Sequence, residues 1–192
     1  SAELRLRAGA KPEEVSGILA KAIAAAPDDP APRVAQINLY MTQKDNSKAV
    51  AAVRDALATL PDKPEILDLA GRVMQQTGDT SQALAHYGKL STLLPNAVQP
   101  YLRMAEIQMA AKNKDSARAS INKGLAVQPD SIPLHRAMIM IDLDAGRFTE
   151  ALNRARELQK THPKDTAGYV IAGDVHVAQK AWAEAATAYR GG

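Results

Sequence analysis

The stretch GDTSQALAHYGKLSTLLPN, residues 78–96, contains residues that recur in kind along the chain at one spacing. Gly78 and Asp79 open the stretch, and Pro95 lies near its end. Glycine tolerates the positive φ that commonly closes a helix, and the side chain of Asp79 or Thr80 can cap the helix that follows. The proline forces the residue before it out of helical geometry. The stretch therefore predicts one helix between two turns.

Proline and alanine recur through the sequence with a period of 34 residues. An alanine stands 12 residues before each of the last four prolines, and Val15 takes that place in the first period. The prolines are Pro27, Pro61, Pro95, Pro129 and Pro163, and the alanines are Ala49, Ala83, Ala117 and Ala151. Ala185 continues the same register beyond them. A fixed period of this kind indicates one supersecondary unit that is repeated along the chain.

Each period divides into two segments with the apolar spacing of an amphipathic helix. In the period 64–97 the first segment carries Ile66, Leu67, Ala70, Val73 and Met74, and the second carries Ala83, Leu84, Tyr87, Leu90 and Leu94. Asp45, Asp79 and Asp115 are expected at the turn that joins the two helices. Because neither helix can bury its apolar side alone, each pair must stack on its neighbours. The sequence thus predicts an all-α array of helical hairpins.

The composition agrees with helices and narrows the chemistry. Of the 192 residues 46% are apolar, mostly alanine and aliphatic residues, and the chain has one Phe, one Trp and five Tyr. Few β-branched or aromatic runs exist that could form a sheet. The net charge of +3 does not demand a nucleic-acid partner, and the lack of cysteine excludes disulfides and thiolate chemistry. No apolar stretch approaches the roughly 18 residues of a membrane span, so the chain is not expected to insert into a membrane.

The period and its residues resemble the tetratricopeptide repeat, which runs Trp-x-x-Leu-Gly-x-x-Tyr, then Ala-x-x-x-Phe, then Pro. The period 64–97 matches at Leu67, Ala70, Gly71, Met74, Ala83, Tyr87 and Pro95, and the period 98–131 at Tyr101, Met104, Ala105, Gln108, Ala117, Ile121 and Pro129. The last unit matches at Tyr169, Ala172, Gly173, His176, Ala185 and Tyr189. Ile37 and Ile139 depart from the pattern, because they replace the small residue of the first helix. The resemblance implies a right-handed superhelical α-solenoid of 34-residue helix-turn-helix repeats.

The register gives a single array over residues 1–192. The expected repeats are 1–29, 30–63, 64–97, 98–131, 132–165 and 166–192, of which the first and the last are partial. Solenoids usually end in polar caps, and neither end of this sequence carries a recognisable one. We therefore expect the array to be a fragment of a longer protein.

Patterns for catalysis or metal binding are not found in the sequence. The histidines share no close spacing, whereas metal ligands come in clusters. They are His86, His135, His162 and His176. No serine lies in a Gly-x-Ser-x-Gly elbow, and no glycine-rich phosphate loop occurs. Asp142 and Asp144 stand two residues apart, as do Asp174 and His176, so on a helix each pair points to different faces. We therefore predict a protein without enzymatic activity, cofactor or metal.

In the related family, the first helices of the repeats line a concave groove that binds peptides or partner helices. The resemblance transfers that role to sets of three residues with the i, i+4, i+7 spacing of one helical face. These residues are Val34, Asn38 and Met41; Asp68, Arg72 and Gln75; Leu102, Glu106 and Met109; Arg136, Met140 and Leu143; and Val170, Asp174 and Val177. We call this predicted surface the first-helix face.

Two details define the ligand that the first-helix face is expected to take. Chaperone-binding members of the family clamp a C-terminal carboxylate with a lysine and an asparagine four residues apart. The matching pairs here are Val34 with Asn38 and Asp68 with Arg72, so that clamp is absent. An apolar stripe rich in methionine, an adaptable side chain, suits varied apolar partners instead. Its members are Met41, Leu102, Met109, Met140 and Leu143, and the alternative is that they only pad the groove.

The leading hypothesis is a non-catalytic scaffold that binds a protein or peptide partner in its concave groove. The style of the array is similar to that of bacterial tetratricopeptide lipoproteins associated with exosortase sorting and exopolysaccharide export. That similarity favours the periplasm or an outer-membrane-attached lipoprotein. A cytosolic regulator or adaptor that uses the same groove is the alternative.

A nucleic-acid binder is the hypothesis from a different class. It would use basic residues of the second helices, which face outward in the related family. They are Arg118, Lys123, Arg154, Arg156 and Lys160. Proteins that bind single strands also present aromatic stacking platforms, and that face has none in the sequence. A solvated convex surface is therefore the favoured interpretation of these charges.

Overall fold

The structure is a computed structural model that describes residues 11–191, and these residues form eleven α-helices and no strand. The helices are α1 (Pro12–Ala25), α2 (Pro30–Thr42), α3 (Asn46–Thr59), α4 (Pro64–Thr77), α5 (Thr80–Leu93), α6 (Gln99–Ala110), α7 (Lys114–Val127), α8 (Ile132–Asp144), α9 (Phe148–Thr161), α10 (Ala167–Ala178) and α11 (Trp182–Arg190). The predicted all-α fold of helical hairpins is therefore confirmed. Between residues 11 and 191, no helix combines the length and the hydropathy that crossing a bilayer requires.

The helices form two compact units, which divide between Pro95 and Asn96. The even-numbered helices α2 to α10 are the first helices of the hairpins, and the odd-numbered helices are the second helices. Within each unit, every first helix packs against the second helix that follows it, and α2, α4, α8 and α10 also pack against the preceding one. First helices also contact one another, α2 with α4, α6 with α8, and α8 with α10. Each unit therefore places its first helices side by side.

The turn inside each hairpin is closed by one residue in the left-handed region. These residues recur every 34 positions and are Lys44, Gly78, Lys112, Gly146 and Lys180, with φ of 57°, 84°, 60°, 72° and 59°. The next residue donates its N–H to a carbonyl five positions back, as from Asp79 to Met74 at 2.9 Å. This bond satisfies a carbonyl that the helix end leaves free, the arrangement of a Schellman motif. A positive φ was predicted for Gly78, where glycine adopts it readily, but lysine adopts it at three of the five positions.

The residue after the left-handed position caps the second helix in the middle of the chain. Asp45, Asp79 and Asn113 each accept the backbone N–H three residues ahead at 3.1 Å. The prediction that Asp115 lies in the turn was wrong, because Asp115 lies in the first turn of α7 and Asn113 occupies the register position. Arg147 at the start of α9 and Ala181 at the start of α11 make no side-chain cap, so these two second helices begin without this hydrogen bond.

Each second helix that precedes a periodic proline ends in one conformation. The last residues before the five prolines have φ between −140° and −124° and ψ between 62° and 76°. They are Ala26, Leu60, Leu94, Gln128 and His162. Proline excludes the α region for the residue before it, because its ring clashes with that residue's backbone. The prediction that Pro95 ends the second helix at Leu94 is therefore confirmed.

The core between the two helices of a hairpin is filled by residues of complementary size. One register position on the first helix pairs with one on the second helix, 16 residues later. The pairs are Ile37 and Val53, Gly71 and Tyr87, Ala105 and Ile121, Ile139 and Ala155, and Gly173 and Tyr189. All of these residues except Tyr189 are buried. Ile37 and Ile139 therefore belong to the core, and Val53 and Ala155 supply a smaller side chain on the second helix.

Within residues 11–191, two charged residues are buried between neighbouring helices, and the sequence pattern did not indicate them. Arg33 of α2 forms an ion pair with Asp55 of α3 and donates a second hydrogen bond to the Thr59 hydroxyl at 3.2 Å. Asp142 of α8 is fully buried and forms an ion pair with Arg118 of α7. A buried charge that loses its partner is strongly destabilising, so each of these buried groups depends on its partner on the neighbouring helix.

Candidate functional site

None of the fifteen predicted residues of the first-helix face is buried. The apolar stripe of each first helix is turned into the core, which leaves the opposite side of the helix at the surface. On α4, for example, Ala70, Val73 and Met74 are buried, whereas Arg72 and Gln75 are exposed. The spacing of the predicted residues therefore selects positions that solvent reaches.

Four of the predicted residues meet in one pocket between α6 and α8, which lie in the unit that begins at Asn96. Leu102, Glu106 and Met109 come from α6, and Met140 comes from α8. The pocket has a volume of about 280 Å³ and is completed by Ala105, Ala137 and Ile141. Six of the seven lining residues are apolar, so this α6–α8 pocket suits an apolar side chain.

The lining residues Ala105, Ala137 and Ile141 were not among the predicted site residues. Ala137 and Ile141 lie one helical turn apart on α8, so their spacing places them on one side of that helix. The two alanines, Ala105 and Ala137, could have indicated the pocket from the sequence, since small side chains leave space between two helices. Conversely, Arg136 and Leu143 do not line the α6–α8 pocket, and Leu143 packs instead against the buried cluster around Ile139.

The one charged group of the α6–α8 pocket is held by its own helix. The Glu106 carboxylate accepts a hydrogen bond from Nη1 of Arg103 at 3.0 Å. Both side chains are partly exposed, so this ion pair adds little to stability. It does balance the charge of the carboxylate, and the pocket therefore presents apolar surface with a polar rim.

The remaining predicted residues of the same unit lie on α10. Val170 and Val177 are exposed at 40% and 38% of their surface. Asp174 accepts a hydrogen bond from the Tyr189 hydroxyl of α11 at 2.7 Å. That hydrogen bond raises the pKa of Tyr189 above its usual range. Asp174 is thus engaged by its own hairpin, whereas the two valines remain open to solvent.

The unit that ends at Pro95 carries the other predicted residues. Val34, Asn38 and Met41 are half-buried on α2, and Asp68 is half-buried on α4. Arg72 and Gln75 of α4 are exposed. These residues share one side of their helices, as the spacing implied, and their part in binding stays a prediction.

The histidines serve packing and local hydrogen bonding. His135 donates from Nε2 to the Pro129 carbonyl at 2.7 Å, which leaves Nδ1 as acceptor for Nη1 of Arg154 at 3.4 Å. Burial lowers the pKa of His135, and the Arg154 charge lowers it further, while the Pro129 carbonyl opposes this. Burial also lowers the pKa of His86, with a smaller effect from Lys89. Within residues 11–191, no three His, Cys, Asp or Glu side chains are grouped so that they could hold a metal ion.

Several of the basic residues on the second helices are engaged by the chain itself. Arg118 pairs with the buried Asp142, Arg154 contacts His135, and Lys160 lies 3.6 Å from the Glu157 carboxylate. Lys123 and Arg156 are exposed. The basic side chains therefore do not all face a common partner, which weakens the nucleic-acid hypothesis.

Known families and structures match this repeat architecture. Two family models, each described as tetratricopeptide repeat, match residues 75–139 and 136–191. Among curated proteins, the human protein O-mannosyl-transferase TMTC1 is 26% identical over 127 residues, which are 64% of this chain and 14% of that protein. The chain therefore spans about one seventh of the length of that relative.

Solved structures show the same fold at low identity. A tetratricopeptide repeat protein from Parabacteroides merdae has a TM-score of 0.69 at 18% identity, covering 97% of this chain and 74% of the other. YrrB, titled a TPR protein with an unusual peptide-binding site, has a TM-score of 0.60 at 15% identity, covering 90% and 89%. At these identities the likeness shows the fold alone.

Proposed function

The chain belongs to the tetratricopeptide-repeat family, and from that premise we propose that it is a scaffold that binds a peptide or partner helix on its first-helix face. The proposal assigns the chain no reaction of its own. The observation that carries it is the α6–α8 pocket, where predicted residues from two neighbouring first helices line one apolar cavity.

The pocket offers a favourable place for an apolar side chain of a partner. Met140 is 62% exposed, which is a high fraction for a large apolar residue, and Leu102 and Met109 are half-buried beside it. Burying one leucine or phenylalanine side chain there would contribute about 1.5–3 kcal/mol. Methionine adapts its shape, so several apolar residues of a partner would fit. YrrB, which has the same fold, is titled as having a peptide-binding site, and this supports the proposal.

A peptide selection tests the proposal directly. Random peptides are selected on the wild-type chain, and their affinity is then measured for Leu102→Asp and Met140→Asp. We expect each variant to weaken binding at least about tenfold, because a carboxylate in an apolar cavity loses its solvation. Circular dichroism should show unchanged helix content, since Met140 is exposed and Leu102 is only partly buried.

Val127→Asp is the matched control for the peptide test. Val127 lies at the end of α7, is 38% exposed and is not part of the first-helix face. It should therefore leave peptide affinity unchanged. Selected peptides that bind Leu102→Asp and Met140→Asp as tightly as the wild type would contradict the assignment of the pocket.

The biological setting that we propose is bacterial envelope protein sorting or exopolysaccharide export, with the parent protein in the periplasm or attached to the outer membrane. The support is the style of the sequence, an alanine-rich array of regular repeats. Fractionation of cells that express the parent protein provides the test. Recovery only in the cytosol would contradict the envelope setting and favour a cytosolic adaptor that uses the same face.

A further inference from the structure

Met140 has a chemical property that peptide binding does not use. The residue is 62% exposed and also lines the α6–α8 pocket. Met138, two residues earlier on the same helix, is fully buried. A methionine that is both exposed and part of a binding cavity is a site where oxidation changes the chemistry of the cavity.

We propose that Met140 is an oxidation site through which peroxide weakens ligand binding at the α6–α8 pocket. This inference rests on the proposed function, because it concerns the same pocket. The sulfur lone pair attacks one oxygen of hydrogen peroxide, and an S–O bond forms while the O–O bond breaks. The leaving hydroxide takes the proton of the transferred oxygen and departs as water. Sulfur thus loses two electrons, and the peroxide is reduced.

Exposure makes Met140 the first methionine to react. All six methionines lie within the described residues 11–191, and among them only Met140 is exposed. Met74 and Met138 are buried, with 3% and 0% of their surface exposed. The half-buried methionines are Met41, Met104 and Met109. Because peroxide must reach the sulfur, the order of reaction follows exposure.

The sulfoxide would alter the pocket more than its small size suggests. Oxidation turns a flexible apolar side chain into a polar one with a strong acceptor oxygen. In the α6–α8 pocket, that oxygen would lie among Leu102, Met109 and Ala137, which donate no side-chain hydrogen bond. An apolar ligand group that covered it would leave a polar group without a hydrogen-bond partner, which is unfavourable. Binding of apolar ligands should therefore weaken about tenfold or more.

Peptide mapping tests the site of oxidation. Trypsin cleaves after Arg136 and Arg147, so residues 137–147 form one peptide that contains both Met138 and Met140. After brief treatment with hydrogen peroxide, fragment ions should place the added oxygen on Met140 and not on Met138. Chain unfolded in urea before treatment should lose this preference. Equal oxidation of both residues in the folded chain would overturn the proposal.

A second measurement tests the effect on binding, with the apolar dye 8-anilinonaphthalene-1-sulfonate as the probe. Leu102→Asp should lower dye fluorescence and thereby show that the dye occupies the pocket. Peroxide should lower the fluorescence of the wild type and of Met104→Leu, which keeps Met140. It should change Met140→Leu little relative to the untreated sample of the same variant.

The outcomes separate this inference from the proposed function. If Leu102→Asp lowers dye binding but peroxide has no effect on the wild type, the oxidation proposal is wrong and the pocket assignment stands. An equal peroxide effect in Met140→Leu would likewise reject Met140 as the site. If Leu102→Asp changes neither dye binding nor peptide affinity, the binding pocket itself is contradicted.

Discussion

Gly71 of α4 lies so close to the ring of Tyr87 on α5 that no side chain fits between them. A β-carbon on residue 71 would stand 2.5 Å from Cζ of the tyrosine. The ring is fully buried and cannot move aside without disturbing the core. Gly173 and Tyr189 repeat the relationship three periods later, with a corresponding distance of 2.3 Å to Cε1. The absence of a side chain on one helix thus allows a large one on the other.

Gly71→Ala should lower the free energy of unfolding by roughly 1–3 kcal/mol, the usual cost of overpacking a core. Adding Tyr87→Ile should recover part of that loss. The double variant reproduces the pair Ala105 and Ile121, which the next period uses in the same register. Urea denaturation of the two single variants and the double variant measures the coupling.

Gly88→Ala is the matched control for the Gly71 experiment. Gly88 lies in α5, and a β-carbon there would meet no atom within 4 Å. Alanine should therefore stabilise α5 by about 0.5–1 kcal/mol, because it restricts the unfolded chain and favours helix. A loss of stability in Gly88→Ala similar to that in Gly71→Ala would mean that crowding at Tyr87 is not the cause.

Lys112→Gly should raise the stability of the unit that begins at Asn96. Lys112 holds φ at 60°, a conformation that costs a residue with a β-carbon about 1 kcal/mol. Glycine avoids that cost, although it gives the unfolded chain more freedom, so a net gain of roughly 0.5 kcal/mol is expected. The reverse exchange, Gly146→Lys at the next turn, should lower stability. The midpoint of urea denaturation measures both changes. A loss of stability in Lys112→Gly, or a gain in Gly146→Lys, would show that turn strain is not decisive.

His135 should make folding stability depend on pH. Burial and Arg154 hold the pKa of His135 in the folded chain below its ordinary value of 6.5. The unfolded chain therefore takes up the proton first as the pH falls. The stabilising contribution is complete above pH 6.5 and is lost as the pH falls through the folded pKa.

Urea denaturation between about pH 7.5 and pH 5.5 measures the contribution of His135. The loss of stability over that interval should be smaller in His135→Gln than in the wild type. Arg154→Gln should also reduce it, because the repelling charge is gone. A variant His135→Gln with an unchanged pH dependence would assign the effect to other groups, such as His86, whose pKa is also lowered by burial.

Arg118→Leu should destabilise the fold by roughly 3 kcal/mol, because it leaves the buried Asp142 carboxylate without its main partner. The Arg147 guanidinium lies 4.0 Å from that carboxylate and would compensate in part. Adding Asp142→Leu should restore most of the loss, since the second change removes the buried charge. A double-mutant cycle in urea measures the coupling. Additive losses would mean that the pair contributes no coupling energy.

The sequence allowed prediction of the features that depend on neighbouring residues in the chain. The prolines ended the second helices at Leu94 and its equivalents, because proline restricts only the residue before it. The side-chain cap at Asp79 also followed, since an N-cap acts on a backbone group three residues away. The turn position was assigned to Asp115, two residues too far along the chain, because Asn113 and Asp115 both carry side chains that can cap a helix. Only Asn113 keeps the 34-residue register.

The features that join distant residues were decided only by the tertiary structure. The sequence identified Leu102, Glu106, Met109 and Met140 as surface positions, but their meeting in one pocket depends on how α6 packs against α8. Arg118 and Asp142 are 24 residues apart in the sequence, so their ion pair likewise depends on how their two helices pack. Periodicity determines which side of a helix is apolar, whereas the shape between two helices depends on the size of every side chain that separates them.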